Sequence, residues 1–177
     1  QYSKWMAKTK QKEAQGLLGQ YYGAQANFFQ EYTAYTGQFG VVAYAPEGNL
    51  NYNVGVQTDN FGTQALLVAQ GYTAALPVAP GNAINSLAYC GVLGANDASG
   101  RCDTRAEGNQ VMPANTPANI NAPNSNAAIA IAVGGQTFVA AAVGNILGGQ
   151  ADLGRNDIWS INQNRQIGNN QNAIGNQ

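Results

Sequence analysis

The sequence predicts an α+β protein in which one long N-terminal helix packs on an antiparallel β-sheet. Large apolar residues recur at spacings of three and four within the first 36 residues, as on one side of a helix. Apolar–polar alternation, the pattern of half-buried strands, appears only later in the chain. A helix followed by strands is typical of the α+β class. We expect one structural domain, with residues 1–36 as the helix and residues 37–177 as a globular head.

The predicted helix has an apolar stripe only in its second half. Gly37 follows it as a stop signal. At about 1.5 Å per residue the helix spans about 52 Å, more than the roughly 40 Å diameter of a compact domain of this size. We therefore expect the first half to project and the second half to form the helix–sheet core, through Leu17, Tyr21, Ala24, Phe28, Tyr32 and Tyr35.

The projecting start combines large apolar side chains with basic ones. Half of the eight basic residues lie within the first twelve positions: Lys4, Lys8, Lys10 and Lys12. This pattern fits either a solvated helix start or a contact surface for a partner or a membrane. An exposed Trp and Met on a projecting helix favour a contact surface. The candidate assembly surface consists of Tyr2, Lys4, Trp5, Met6 and Lys8.

Four later segments carry strand patterns, and Gly134-Gly135 is a plausible hairpin turn between two of them. These segments are residues 50–57, 128–133, 136–146 and 158–164. The segments ALLVAQ (65–70) and INSLAY (84–89) each fit a helix turn or a strand. The Asn-rich end, residues 165–177, fits a surface tail or a last edge strand with a frayed end.

Two loops are predicted in the head. Cys90 and Cys102 bound a Gly/Asn/Asp-rich loop, and a disulfide there would add about 2–4 kcal/mol by restricting the unfolded chain. Two free thiols are the alternative. Residues 108–127 hold three of the six prolines among Asn and Ala, and they indicate a long surface loop.

The amino-acid composition argues against several classes of function, among them nucleic-acid binding and histidine-dependent catalysis. Only 10% of residues are charged, against roughly 25% in ordinary soluble domains, which is more typical of extracellular and assembled proteins. The net charge of −1 gives no general attraction to nucleic acid, and no specific nucleic-acid site is evident. The chain has no histidine, which excludes Ser-His and Cys-His nucleophiles and His-ligated zinc. We expect no enzymatic activity, no catalytic residues and no cofactor.

One weak metal candidate lies in the Gly-rich segment before the last predicted strands. Asp152 and Asp157, with Asn145 and Asn156 nearby, supply oxygen ligands of the kind that calcium prefers. The spacing does not match an EF-hand loop. We favour turn-forming roles for these residues, with their side chains bonded to their own backbone.

The order of segments resembles that of type IV pilins. The opening QYSKWMAKTKQKEAQGLLGQYYGAQANFFQEYTAYT is similar to the conserved helix of that family just beyond its apolar N-terminal stretch. PEGNLNYNVG resembles the first sheet strand, and FVAAAVGNI with DIWSINQN resembles the later strands. The resemblance covers residues 1–57 and 136–165, and residues 58–127 match no part of the family pattern.

The resemblance implies the pilin fold and a structural subunit of a surface filament used in adhesion, twitching motility or DNA uptake. The implied partners are further copies of the chain, the pilus assembly machinery and a host, prey or abiotic surface. The family's apolar half-helix, which begins with a methylated Phe, anchors the subunit in the inner membrane. The sequence resembles the family only beyond that segment. The family's commonest disulfide brackets a C-terminal region, whereas Cys90 and Cys102 lie in mid-chain.

Two alternative functions stay open. A type II secretion pseudopilin shares the helix and the sheet, and bound calcium at Asp152 and Asp157 would favour it. A secreted surface- or glycan-binding module would use exposed Tyr and Trp to stack on sugars, and tight glycan binding by a monomer would favour that function.

Overall fold

The computed structural model describes residues 2–61, 68–69, 71–72, 81–90, 102–104, 112–147 and 156–175. Within these residues the chain is α+β, with one long N-terminal helix and a five-stranded antiparallel sheet. The fold class predicted from the sequence is confirmed at that level.

The N-terminal helix α1 spans Tyr2–Tyr32 and ends four residues earlier than predicted. Thr33 has a φ of 53°, a left-handed conformation that cannot continue the helix, and its N–H donates to the Phe29 carbonyl at 2.7 Å. Gly37 is therefore not the stop signal. A Cβ at Gly37 would lie 2.7 Å from Cγ2 of Val56, so this glycine allows the chain to pass close to the sheet.

Short strands, a short helix and a 3₁₀ turn follow α1 within the described residues. In chain order they are β1 (Gly48–Leu50), β2 (Asn53–Val56), β3 (Thr58–Asp59), β4 (Ile84–Asn85), α2 (Ser86–Cys90), β5 (Cys102–Thr104), β6 (Ala130–Ile131), the turn (Val133–Gly135), β7 (Val139–Gly144), β8 (Asp157–Asn162) and β9 (Ile167–Gln171). The main sheet has the order β4-β2-β7-β8-β9, and every neighbouring pair is antiparallel. β1 pairs with β5 and β3 pairs with β6, both in parallel.

The predicted strand segments contain the observed strands, but most of the segments are longer than the strands. The stretch 50–57 is divided between β1 and β2, and only Ala130–Ile131 of 128–133 is a strand. The turn at Gly134-Gly135 is confirmed, since both glycines have positive φ and the antiparallel bridge Ile131–Phe138 closes it. INSLAY contains a strand and a helix turn, β4 and α2. The chain end includes an edge strand, β9, and most of ALLVAQ lies outside the described residues.

The sheet is covered on both faces. Alternate residues such as Ala140, Ala142 and Ile161 belong to the core that contains α1. Their neighbours Ala141, Val143 and Ile158 pack instead with Met112 and Ile129. The predicted surface loop 108–127 is described from residue 112 onward. Its Met112 is buried against this second face of the sheet, so this part of the loop covers apolar residues that would otherwise contact water.

None of the helices among the described residues combines the length and the apolar character that a bilayer span requires.

Candidate assembly surface

The start of α1 is exposed, and the rest of the helix is covered on one side. The exposed fractions of the Tyr2, Trp5 and Met6 side chains are 76%, 62% and 39%. The Tyr2 and Trp5 rings stack with their centroids 6.4 Å apart. From Ala7 onward, α1 has a buried face. The start of α1 is therefore a continuous apolar surface that the described residues do not cover.

Three lysines form a row that begins in the exposed start of α1 and continues along the solvent-facing side of the covered part. Lys4, Lys8 and Lys12 are spaced by four and therefore share one side of the helix, and all three are exposed. Like charges at this spacing destabilise a helix by about 0.2–0.5 kcal/mol per pair. The acidic residue beside the row, Glu13, is engaged elsewhere: its carboxylate accepts two 2.6 Å hydrogen bonds from the backbone and side-chain amides of Asn51. The lysine row (Lys4, Lys8 and Lys12) is thus a concentrated positive charge beside an apolar surface.

The border between the exposed and covered parts lies earlier in α1 than the sequence predicts. Ala7 and Ala14 are fully buried, so most of the first half packs on the head and does not project. The signal that sequence analysis missed is a seven-residue spacing: Ala7, Ala14, Tyr21 and Phe28 follow one line along α1. Alanines on that line allow the helix backbone to lie close to the sheet. Among the described residues, those before Ala7 project.

The predicted helix–sheet core is present, with unequal burial. Leu17, Tyr21 and Phe28 are buried, whereas Ala24 and Tyr32 are half-buried and pack against the same cluster. Tyr35 also packs there, but it lies beyond the end of α1 and is not part of the helix, contrary to the prediction. Gln25 is also buried on this side of α1, and no apolar pattern predicts a buried glutamine.

A buried carboxylate joins α1 to the sheet. Asp157, the first residue of β8, accepts hydrogen bonds from five donors. One donor lies on β8 itself, and the other four lie in four other parts of the chain. Its Oδ1 accepts from Gln11 Nε2 (2.9 Å), Asn169 Nδ2 (3.0 Å) and the Ala173 N–H (3.1 Å), and its Oδ2 accepts from the Tyr52 hydroxyl (2.7 Å) and Trp159 Nε1 (2.7 Å). Hydrogen bonds to a charged acceptor are stronger than neutral ones. We call Asp157 and these five donors the Asp157 network.

The network corrects the turn-forming role favoured for Asp157, because its five donors belong to other residues and four of them lie ten or more positions away in the chain. The calcium candidate stays a prediction. A carboxylate offers about four lone-pair positions, and five donors point at those of Asp157, which disfavours a cation there. Asp152 lies outside the described residues. No group of three or more acidic, Cys or His residues that could hold a metal occurs in the described part of the chain.

The predicted disulfide stays a prediction. Cys90 ends α2 and Cys102 begins β5, and these two elements are in contact. Their side chains lie outside the described part of the structure.

Three tyrosines in the core have hydroxyl groups whose pKa is raised mainly by burial, so they stay protonated at physiological pH. Tyr52 donates to Asp157, and that carboxylate raises the pKa of Tyr52 further. Tyr44 donates to the Leu17 carbonyl at 3.3 Å. The Tyr21 hydroxyl lies near Gln25, yet the structure describes no hydrogen bond of normal geometry for it.

A scan against protein-family models and a search of curated proteins found no match for this chain. The geometry therefore carries the functional argument. It provides an aromatic and basic surface at the start of a helix whose remainder is fixed to a sheet, an arrangement suited to binding another protein surface.

Proposed function

We propose that this chain is a structural, non-enzymatic subunit of a type IV pilus, an extracellular filament built from copies of the same protein. The observation that carries the proposal is the exposed Tyr2, Trp5 and Met6 surface beside the lysine row. Adjoining exposed apolar side chains of this kind are typical of an interaction site, and repeated contacts between copies would bury them. The arrangement of one N-terminal helix on an antiparallel sheet is compatible with the pilin fold.

The proposed partners follow from this function. The chain would contact further copies of itself, the assembly machinery and the inner membrane before assembly, and a target surface afterwards. The hydrogen-bonded carboxylate of Asp157 is disfavoured as one of the two acidic ligands that a pseudopilin-like calcium loop would need here. This observation supports the pilus over the pseudopilin.

The proposal is tested in cells of the source organism, in which the gene is changed so that Trp5 becomes Glu and no wild-type copy remains. We expect the variant to accumulate normally but to be absent from filaments sheared off the cell surface, because a carboxylate cannot be buried against an apolar partner without a large cost. Ile120→Glu is the matched control, since Ile120 is 95% exposed in the segment that covers the second face of the sheet. Normal filaments from Trp5→Glu, or a wild-type chain found only in the periplasm, would contradict the proposal.

A further inference from the structure

An aromatic groove lies at the other end of α1. It has a volume of about 280 Å³ and is open to solvent on one side. The residues that matter for its chemistry are Phe28, Glu31, Tyr32, Val41, Val42 and Tyr72. We call this the α1-end groove.

Three rings of the groove adjoin one another. The centroids of Phe28 and Tyr32 are 4.7 Å apart, those of Tyr32 and Tyr72 are 5.5 Å apart, and those of Phe28 and Tyr72 are 6.0 Å apart. The Tyr32 and Tyr72 planes are perpendicular. The face of an aromatic ring carries partial negative charge, and a Lys ammonium within about 6 Å of the ring centre is attracted to it.

The groove also carries net negative charge. Glu31 is exposed and lies in the last turn of α1, where no basic residue is present. The carbonyl groups at the C-terminal end of a helix already produce a partial negative charge, which an acidic side chain increases and a cation would neutralise. The rings, the carboxylate and the helix end therefore all favour the same kind of ligand, an ammonium group on an apolar stem.

The lysine row on the same chain cannot supply that ligand. The 31 residues of α1 span about 46 Å, so the lysine row and the α1-end groove lie at opposite ends of one rigid element. A second copy of the chain can present its lysine row to the groove without any such restriction.

We propose, on the basis of the proposed filament function, that the α1-end groove receives the lysine row of a second copy, so that the helix start of one subunit docks on the helix end of the next. The ammonium groups meet Glu31 and the ring faces, and the apolar stems lie against Val41 and Val42. A contact between two different surfaces of the same chain is heterologous, and its repetition extends a filament without closing it.

Reversal of charge at Glu31 tests this contact in cells. We expect Glu31→Lys to reduce the amount of the chain in sheared filaments by roughly tenfold or more, because it places like charges against each other. Adding Lys8→Glu to the same chain restores the opposite charges, and we expect it to return the amount to within about threefold of wild type. Glu47→Lys is the matched control, since Glu47 is exposed and lies outside the groove.

A solution measurement tests the same contact without filaments. A synthetic peptide of residues 2–16 is titrated into the chain at low salt, and we expect a dissociation constant on the order of 1 mM. Glu31→Gln and Tyr32→Leu should each weaken binding by roughly fivefold, and 0.5 M salt should weaken it as well. Glu47→Gln should leave it unchanged.

The outcomes separate this contact from the function on which it rests. Filaments that contain wild-type and Glu31→Lys chains equally, with peptide binding that is insensitive to Glu31 and Tyr32, would overturn the groove contact and leave the pilus function intact. A wild-type chain absent from filaments would overturn the pilus function, and the peptide titration would still decide whether two copies meet through the groove.

Discussion

The first five residues of α1 and the rest of the same helix lie in different surroundings. Trp5 is mostly exposed, whereas Ala7, Ala14 and Leu18 are fully buried against the head. From Gln11 onward the helix also contributes side chains to polar contacts with the sheet. The difference indicates that the stability of the chain comes from the covered part and that the exposed start serves contacts with other molecules.

The largest expected effect is the removal of the Asp157 carboxylate. Asp157→Ala leaves four donors without this acceptor, two of them on the buried residues Tyr52 and Ala173, whereas Gln11 keeps a second acceptor at Asn172 (3.2 Å). We expect the free energy of unfolding to fall by about 3 kcal/mol or more. Urea denaturation followed by circular dichroism measures it. Asp157→Asn keeps one acceptor oxygen and should lose less. A loss below about 1 kcal/mol for Asp157→Ala would show that the network does not hold the covered part of α1.

Two tyrosine substitutions compare a buried hydroxyl that has a hydrogen bond with one that lacks a well-formed bond. Tyr52→Phe removes a donor to Asp157 and should cost about 1–2 kcal/mol. Tyr21→Phe removes a buried hydroxyl without a well-formed hydrogen bond, so it should cost less than about 0.5 kcal/mol or stabilise the chain. Thermal unfolding of both variants measures the contrast, and equal losses would contradict it.

The buried Asp59, in β3, makes the free energy of unfolding depend on pH. Burial raises the pKa of Asp59 above its ordinary value of 3.8, despite hydrogen bonds from the Phe61 N–H and the Thr36 hydroxyl, which lower it. Because the folded chain binds this proton more tightly than the unfolded chain, its contribution to stability is complete below pH 3.8 and is lost as pH rises through the raised pKa.

The substitution Asp59→Asn removes this titration. We expect the stability of the variant, measured by urea unfolding at a series of pH values, to improve relative to wild type as pH rises above about 4. A difference that stays constant with pH, or that changes in the opposite direction, would show that Asp59 does not titrate in this way.

The smallest expected effect lies in the exposed start. Trp5→Ala should change the free energy of unfolding by less than about 0.5 kcal/mol, because the ring contacts little of its own chain beyond Tyr2. Leu18→Ala, a fully buried position in the same helix, is the control and should cost about 2–4 kcal/mol. A loss for Trp5→Ala that approached that of Leu18→Ala would mean that the helix start belongs to the core.

The sequence predicted where the helix and strands lie more accurately than where each of them ends. The apolar spacing from Leu17 to Phe28 predicted the helix and its buried side correctly, since neighbouring positions on a helix are determined by local geometry alone. The end of α1 was wrong because Thr33, an unusual residue for a left-handed conformation, ends the helix ahead of Gly37. The exposed Trp5 was predicted, whereas the burial of Ala7 and Ala14 was not, because alanine gives a weak apolar signal.

The sequence by itself determined the class, the order of helix and strands, and the aromatic and basic character of the helix start, because these depend on residues close together in the chain. Only the tertiary structure decided the Asp157 network, whose donors include residues 11, 52 and 173, and the α1-end groove, in which Tyr72 meets Phe28 and Tyr32. Contacts between residues far apart in the chain depend on how the elements pack, and no local pattern encodes that packing.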